Sequence, residues 1–147
     1  MSAGDLYGPE LVDHGNKPRN QRKLARADIS AVRSNASCGD ELRISAAITG
    51  EKLVEVAFEG DGCLVSLASA SMLTTLVQGK SREEASALVT QARAYFEQLG
   101  EAPKSMPGLA AFSGLSRFPV RRACARLAWE ALANALVEAS PTAASRT

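Results

Sequence analysis

The chain has one histidine, one tryptophan and three cysteines, and no two of its cysteines form a Cys-x-x-Cys pair. An odd number of thiols cannot all pair within one chain, which excludes the disulfide frameworks of small secreted domains. No stretch approaches the ~18 consecutive apolar residues of a membrane span. The opening Met1-Ser2-Ala3-Gly4-Asp5-Leu6-Tyr7 lacks both the basic start and the apolar run of a secretion signal. The expected setting is therefore cytoplasmic, away from membranes, with the cysteines reduced. They then serve as buried filler, metal ligands or reactive groups. Aromatic residues make up only 5% of the chain, and none interleaves with Lys17, Arg19, Arg22, Lys23, Arg26 and Arg33. Stacking on nucleic-acid bases is accordingly not expected. Broken only by Asp28, this basic run reads as a solvated surface or as a docking place for an acidic protein partner.

At 147 residues, 46% of them hydrophobic and 22% charged, the chain has the length and composition of one globular domain spanning residues 1–147. Such a domain buries roughly 70% of the surface it exposes when unfolded, so it needs no metal merely to fold. Leu6, Leu11 and Val12 are spaced for a helix around Pro9–His14, and Asn16-Lys17-Pro18-Arg19-Asn20 reads as a turn. Three strand-like runs follow. Ile29–Ser34 is the weakest. Leu42, Ile44, Ala46 and Ile48 alternate with more polar neighbours, as do Val54, Val56 and Phe58. Beyond Gly60-Asp61-Gly62 the period becomes helical, with Leu64, Leu67, Ala68, Met72, Leu76 and Val77 on one stripe that stops before Gly79. Ser81 followed by Glu84 is a capping-box pattern opening a helix toward Leu99. Pro103, Pro107, Gly108 and Gly114 predict a loop of about a dozen residues. A last helix starts near Pro119, with Val120, Cys124, Leu127, Ala128, Ala131 and Leu136 on its apolar face and Phe118 and Trp129 in the core. The small polar residues from about 140 predict a fraying tail. The fold class is α+β: a small three-stranded antiparallel sheet with helices packed on one face.

Against this layout the cysteines fall at element ends. Cys38-Gly39-Asp40 links the first two strands, Cys63 stands where a glycine-rich turn enters a helix, and Cys124 lies in the first turns of the last helix. Gly39 allows the bend that turns a Cys38 thiolate and an Asp40 carboxylate toward one centre. A helix N-terminus beside Cys63 favours its thiolate. Three thiolates and a carboxylate match the four-coordinate preference of zinc, and Arg121 and Arg122 offset part of the negative charge. Spacing by itself leaves the cysteines open to a role as small buried hydrophobes. His14 reads as a surface or capping side chain. Gly60-Asp61-Gly62 lacks the third glycine of a dinucleotide fingerprint.

Four motifs in order carry a family resemblance. Leu6-Tyr7, Val12-Asp13-His14 and Asn16 to Asn20 resemble the opening of SufU/IscU-type iron–sulfur cluster assembly proteins. Ser37-Cys38-Gly39-Asp40 is similar to their Cys-Gly-Asp motif, and Phe58 to Cys63 with Ala68-Ser69-Ala70-Ser71-Met72 to their glycine–cysteine and small-residue stretch. Phe118-Pro119-Val120-Arg121-Arg122-Ala123-Cys124 through Trp129 looks like the SufU form of their last helix. Ala123 stands where scaffold-type IscU proteins carry histidine. The 60 residues between Cys63 and Cys124 also resemble the longer SufU gap.

The resemblance implies a SufE/IscU-like fold and a zinc ion held by Cys38, Asp40, Cys63 and Cys124. It implies a zinc-dependent sulfurtransferase-like protein whose Cys38 accepts persulfide sulfur from a SufS-type, pyridoxal-phosphate-dependent cysteine desulfurase. Docking of that enzyme is expected to release Cys38 from the metal. Arg121 is the arginine it implies for site stabilisation or docking, and downstream cluster assembly proteins are the further partners. The alternative it leaves is a scaffold on which a [2Fe–2S] iron–sulfur cluster forms at the same four residues. Ala36-Ser37 and the order Asn16-Lys17-Pro18 depart from the family pattern outside the ligands.

Overall fold

The computed structural model describes residues 8–35 and 39–138, the side chain of Arg117 excepted. Its elements are α1 (Pro9–Asn16), β1 (Ile29–Asn35), β2 (Asp40–Thr49), β3 (Lys52–Asp61), α2 (Leu64–Val77), α3 (Arg82–Gln98), a 3-10 segment (Pro107–Arg117) and α4 (Pro119–Glu138). The strands form an antiparallel meander in the order β1-β2-β3. Ile44 faces Phe58 and Ala46 faces Val56 across β2 and β3, and all four are fully buried. On this face α4 packs across β1 and β2 while α2 packs on β3. α3 lies against α4, and α1 against α2. The expected α+β architecture is what forms. The tail beyond residue 138 lies outside the described residues.

Hydrogen bonds close the outer edge of the sheet at β3. The amide of Phe58 donates to the Asn20 carbonyl at 2.9 Å, and the amide of Arg22 donates to the Phe58 carbonyl at 3.0 Å. Further along the same edge, Leu53 exchanges bonds with Gly79 and Lys80. The chain entering and leaving the sheet thus covers an edge that would otherwise offer unpaired amides.

Four details differ from the sequence reading. Val54 is 43% exposed, while Leu53 is buried. The pairing passes from Ala47↔Glu55 to Ile48↔Leu53, so β3 carries one extra residue at Val54. That bulge reverses the side-chain phase partway along the strand. α2 has no single apolar stripe, because Val65, Ser66, Ala68, Ser69, Ala70, Ser71, Met72, Leu73 and Thr74 are all buried. It runs between β3, α1 and α4, which cover most of its surface and leave Thr75 exposed.

The expected loop after Pro103 contains the 3-10 segment. Met106, Leu109, Phe112 and Leu115, spaced by three, are all fully buried. Three residues per turn stacks them on one edge, and that edge faces α1 and α4. Finally, Phe118 and Val120 are 37% and 53% exposed, not core. They stand at the corner where the 3-10 segment gives way to Pro119 and α4, with Phe118 outside either helix.

Other local expectations hold. Ser81 Oγ accepts the Glu84 amide at 3.0 Å and Glu84 Oε1 accepts the Ser81 amide at 2.9 Å, completing the capping box. Trp129 is fully buried. In the basic run, Arg19 pairs with Asp13, Arg22 with Glu55, Arg26 with Asp28 and Arg33 with Glu130. Most of its charge is therefore locally matched by acids.

The packing of the 3-10 segment is open to a direct test. Phe112→Ala is expected to cost about 3–5 kcal/mol of stability, as for a buried aromatic. Denaturant unfolding reads this directly, and a loss below about 1 kcal/mol would be the signature of an exposed loop.

Candidate metal centre

The backbone brings one end of the sheet to the start of α2. Gly39, at φ +72°, makes the turn into β2, and its amide donates to the Asn35 carbonyl at 2.9 Å. Asp40, opposite Asn35, is then the first residue of β2 and is almost completely buried. Its carboxylate is held on both oxygens. Oδ1 accepts the Cys63 amide at 3.1 Å, and Oδ2 accepts the hydroxyl of Ser66.

The glycines before Cys63 serve this contact. A Cβ on Gly62 would lie 2.9 Å from the Ser66 Cβ and 3.3 Å from the Asp40 Cγ. Gly60, at φ +124°, would place a Cβ 2.1 Å from the Glu41 carbonyl. Gly60-Asp61-Gly62 is thus a close-packing device beside a carboxylate and does not cradle a pyrophosphate.

Cys63 is the N-cap of α2 and is half-buried. Cys124, on the second turn of α4, is buried. One ligand atom from each of Asp40, Cys63 and Cys124 lies within 4.8 Å of the others. Ligands of one tetrahedral zinc stand ~3.8 Å apart when metal–sulfur bonds are near 2.3 Å, so small side-chain adjustments bring these three atoms onto a common ion. The donor set, two thiols and a carboxylate, suits zinc or an iron–sulfur cluster. Cys38, the fourth residue expected at the centre, lies outside the described residues.

The electrostatics favour a thiolate here. The Cys63 thiol is lowered from 9.0 to about 5, chiefly because the Cys124 thiol donates a hydrogen bond to its sulfur. The Ser66 amide and hydroxyl add to this, against burial and the Asp40 charge. Two neighbouring residues were not anticipated from the sequence. Asn35 Nδ2 approaches the Cys124 sulfur at 3.7 Å, and Ser66 Oγ lies 3.6 Å from the Cys63 sulfur and 3.4 Å from the Cys124 carbonyl. For Ser66 a signal existed: it stands three residues after an N-cap position, the spacing at which a helix's first turn returns to its cap.

Arg121 is half-buried and sits three residues before Cys124, on the same side of α4. Arg122 points elsewhere, donating to the Glu97 carbonyl at the end of α3 at 2.7 Å. Of the two arginines expected to offset charge, only Arg121 stands on the Cys124 side. His14 is not part of the group. Its Nδ1 lies 2.7 Å from Ser71 Oγ, and burial lowers its pKa.

A folded-state pKa lowered below the unfolded one stabilises the fold fully only above the unfolded value. For Cys63 in the metal-free protein that gain shrinks as pH falls from about 9 and is gone below about 5. Alkylation of Cys63 followed by peptide mapping is therefore expected to reach half its maximal rate near pH 5. A rate still climbing between pH 8 and 9 would contradict this.

The NifU-like N terminal domain family matches residues 6–141. The chain is 34% identical over 133 residues to the zinc-dependent sulfurtransferase SufU of Bacillus subtilis (strain 168), covering 86% of each chain. It is 35% identical over 132 residues to the iron-sulfur cluster assembly scaffold protein IscU of Streptococcus pyogenes serotype M1, covering 89% of this chain and 82% of the relative. Among solved structures it is similar to FiSufU of Fervidobacterium islandicum AW-1, with a TM-score of 0.81 and 27% identity over 92% of this chain and 99% of that one. The N-terminal NifU-like protein of Brucella abortus, at 20% identity and a TM-score of 0.80, shares the fold. With the family match running nearly from end to end, the chain belongs to the NifU-like N-terminal domain family.

Proposed function

We propose that this chain takes part in iron–sulfur cluster assembly as a zinc-dependent sulfur acceptor. The observation that carries the reading is the convergence of Asp40, Cys63 and Cys124, two soft donors and one hard one, at a helix N-terminus. The SufU relative, named a zinc-dependent sulfurtransferase and matched along most of both chains, supports it. When bound, zinc would be held by these three residues with Cys38, and it would keep the thiols deprotonated and protected from oxidation.

Three of the residues are held in place by their surroundings. Asp40 is fixed by two hydrogen bonds, Cys63 caps α2, and Cys124 is embedded in α4. Cys38 lies in the sequence between β1 and β2 and is the nucleophile of this reading. Its thiolate attacks the outer sulfur of a persulfide on a SufS-type, pyridoxal-phosphate-dependent cysteine desulfurase. A sulfur–sulfur bond forms on Cys38 as the enzyme's own sulfur–sulfur bond breaks, and the enzyme cysteine leaves as thiolate. No net oxidation occurs. Arg121, beside Cys124 on α4, steadies the negative centre or meets the partner. Sulfur then passes to downstream cluster assembly proteins.

A second reading, a scaffold for a [2Fe–2S] cluster at the same residues, is favoured by the relatives named IscU scaffolds. Metal content separates the two. Sulfur transfer goes with one zinc per chain and a colourless protein, and the scaffold with a brown, air-sensitive chromophore.

Cys38→Ala is expected to abolish desulfurase stimulation while much of the zinc stays bound, because the three remaining ligands with water form an open site. Cys63→Ala and Cys124→Ala are expected to lose more zinc, since their ligands sit on packed helices. Desulfurase-driven alanine release measured beside zinc content tests both statements. Full stimulation by the Cys38→Ala protein would remove Cys38 from the acceptor role.

A further inference from the structure

We propose that Ser66 is a positioning residue for the metal centre, fixing Asp40 in its ligating orientation. The inference rests on the reading of Asp40, Cys63 and Cys124 as metal ligands.

Ser66 is fully buried in the first turn of α2, and its hydroxyl donates to Asp40 Oδ2. The same oxygen lies within 3.6 Å of the Cys63 sulfur and 3.4 Å of the Cys124 carbonyl. One hydroxyl therefore touches all three ligand residues. A carboxylate is the strongest acceptor of the three, so the proton goes to Asp40.

Hydroxyls in a helix commonly turn back on their own backbone. Thr74 does so toward the Ser71 carbonyl at 2.7 Å, and Thr75 toward the Met72 carbonyl at 2.8 Å. Ser66 instead reaches across to another element. No other α2 hydroxyl can replace it, because Ser69 is bonded to the Ala125 carbonyl and Ser71 to the Arg19 amide and His14.

The consequence for Asp40 is geometric. With the Cys63 amide on Oδ1 and the Ser66 hydroxyl on Oδ2, rotation of the carboxylate about its last bond is stopped. Each oxygen keeps a second lone pair for a metal. Without Ser66 the carboxylate hangs on one bond and one buried oxygen lacks a donor. Gly62 belongs to the same device, since any Cβ there would press on the Ser66 Cβ and the Asp40 carboxyl. Partners that orient a metal ligand typically contribute 10–100-fold to affinity.

The test is a double-variant cycle read by zinc dissociation constants from chelator competition, with metal-free melting temperatures alongside. Ser66→Ala is expected to weaken zinc binding by roughly 10–100-fold. In an Asp40→Ala background the same change is expected to weaken it by no more than about twofold, because the residue it acts through is gone. Ser66→Thr, which keeps the hydroxyl, is expected to bind zinc within about tenfold of the unmodified chain, tighter than Ser66→Ala.

Unchanged affinity in Ser66→Ala, or an equal loss in both backgrounds, would overturn the role and leave Ser66 as packing alone. If Ser66→Ala does not fold, the threonine variant decides: a folded Ser66→Thr protein that binds zinc supports the role, and one that has lost zinc overturns it. An unmodified chain that takes up no zinc removes the metal centre and this role together. Normal binding with an indifferent Ser66→Ala removes this role only.

Discussion

Everything else in this fold is arranged around a helix buried over most of its surface. α2 passes between β3, α1 and α4, and burial leaves Ser66, Ser69, Ser71 and Thr74 no water to bond. Each buried hydroxyl must find a partner inside the protein or cost stability. The four of them find four different ones. Ser66 bonds Asp40, Ser69 the α4 carbonyl of Ala125, Ser71 the amide of Arg19 with His14, and Thr74 the Asn20 side chain. One requirement, satisfied residue by residue, thereby fixes α1, the turn that follows it, α4 and the start of β2. Small hydroxyl-bearing and alanine side chains along Ala68-Ser69-Ala70-Ser71 also let neighbouring backbones come close enough for such bonds.

The same helix delivers the centre. Its N-cap is Cys63, and the first-turn amides and the Ser66 hydroxyl gather there with the Asp40 carboxylate. A helix N-terminus favours negative charge, which suits a set of thiolate and carboxylate donors. Cys124 reaches the same point from α4, which packs against α2. The bond from Ser69 to the Ala125 carbonyl, one residue beyond Cys124, ties the two helices beside the thiols. Lateral registry of α2 and α4 and the separation of their cysteines are in this way one constraint.

How much of this was legible in the residues can be traced element by element. The strand alternation of β2, the Ser81–Glu84 capping box and the start of α4 at Pro119 are local signals, and the structure follows them. Asp40, Cys63 and Cys124 also come together, although spacing left a buried-filler role open and the grouping was carried by the family resemblance. Most of the failures are tertiary. Val54 points outward because of a bulge that depends on the pairing with β2 and not on the strand's own sequence. Phe118 has the composition of core but stands at a corner between helices. The 3-10 segment was hidden by its glycines and Pro107, although the period of three in Met106, Leu109, Phe112 and Leu115 was there to read. Ser66 was read as part of a helix and not as a partner of Asp40, because the two are 26 residues apart and meet only once β2 and α2 are placed.

A chain with this much buried surface is expected to fold without a metal. Trp129, Phe58, Phe96 and Phe112 are all fully buried, and Phe96 packs edge-on against Phe112 to join α3 to the 3-10 segment. That independence matters for the proposed chemistry. Where metal binding is also folding, surrendering a ligand loosens the whole domain. Here the elements that carry Asp40, Cys63 and Cys124 are held by their own hydrogen bonds and packing. On the proposed reading, Cys38 can then be exchanged for a partner's group at a cost confined to the coordination itself. A sulfur acceptor needs a centre of this kind, in which one ligand leaves while the remaining three stay where the core holds them.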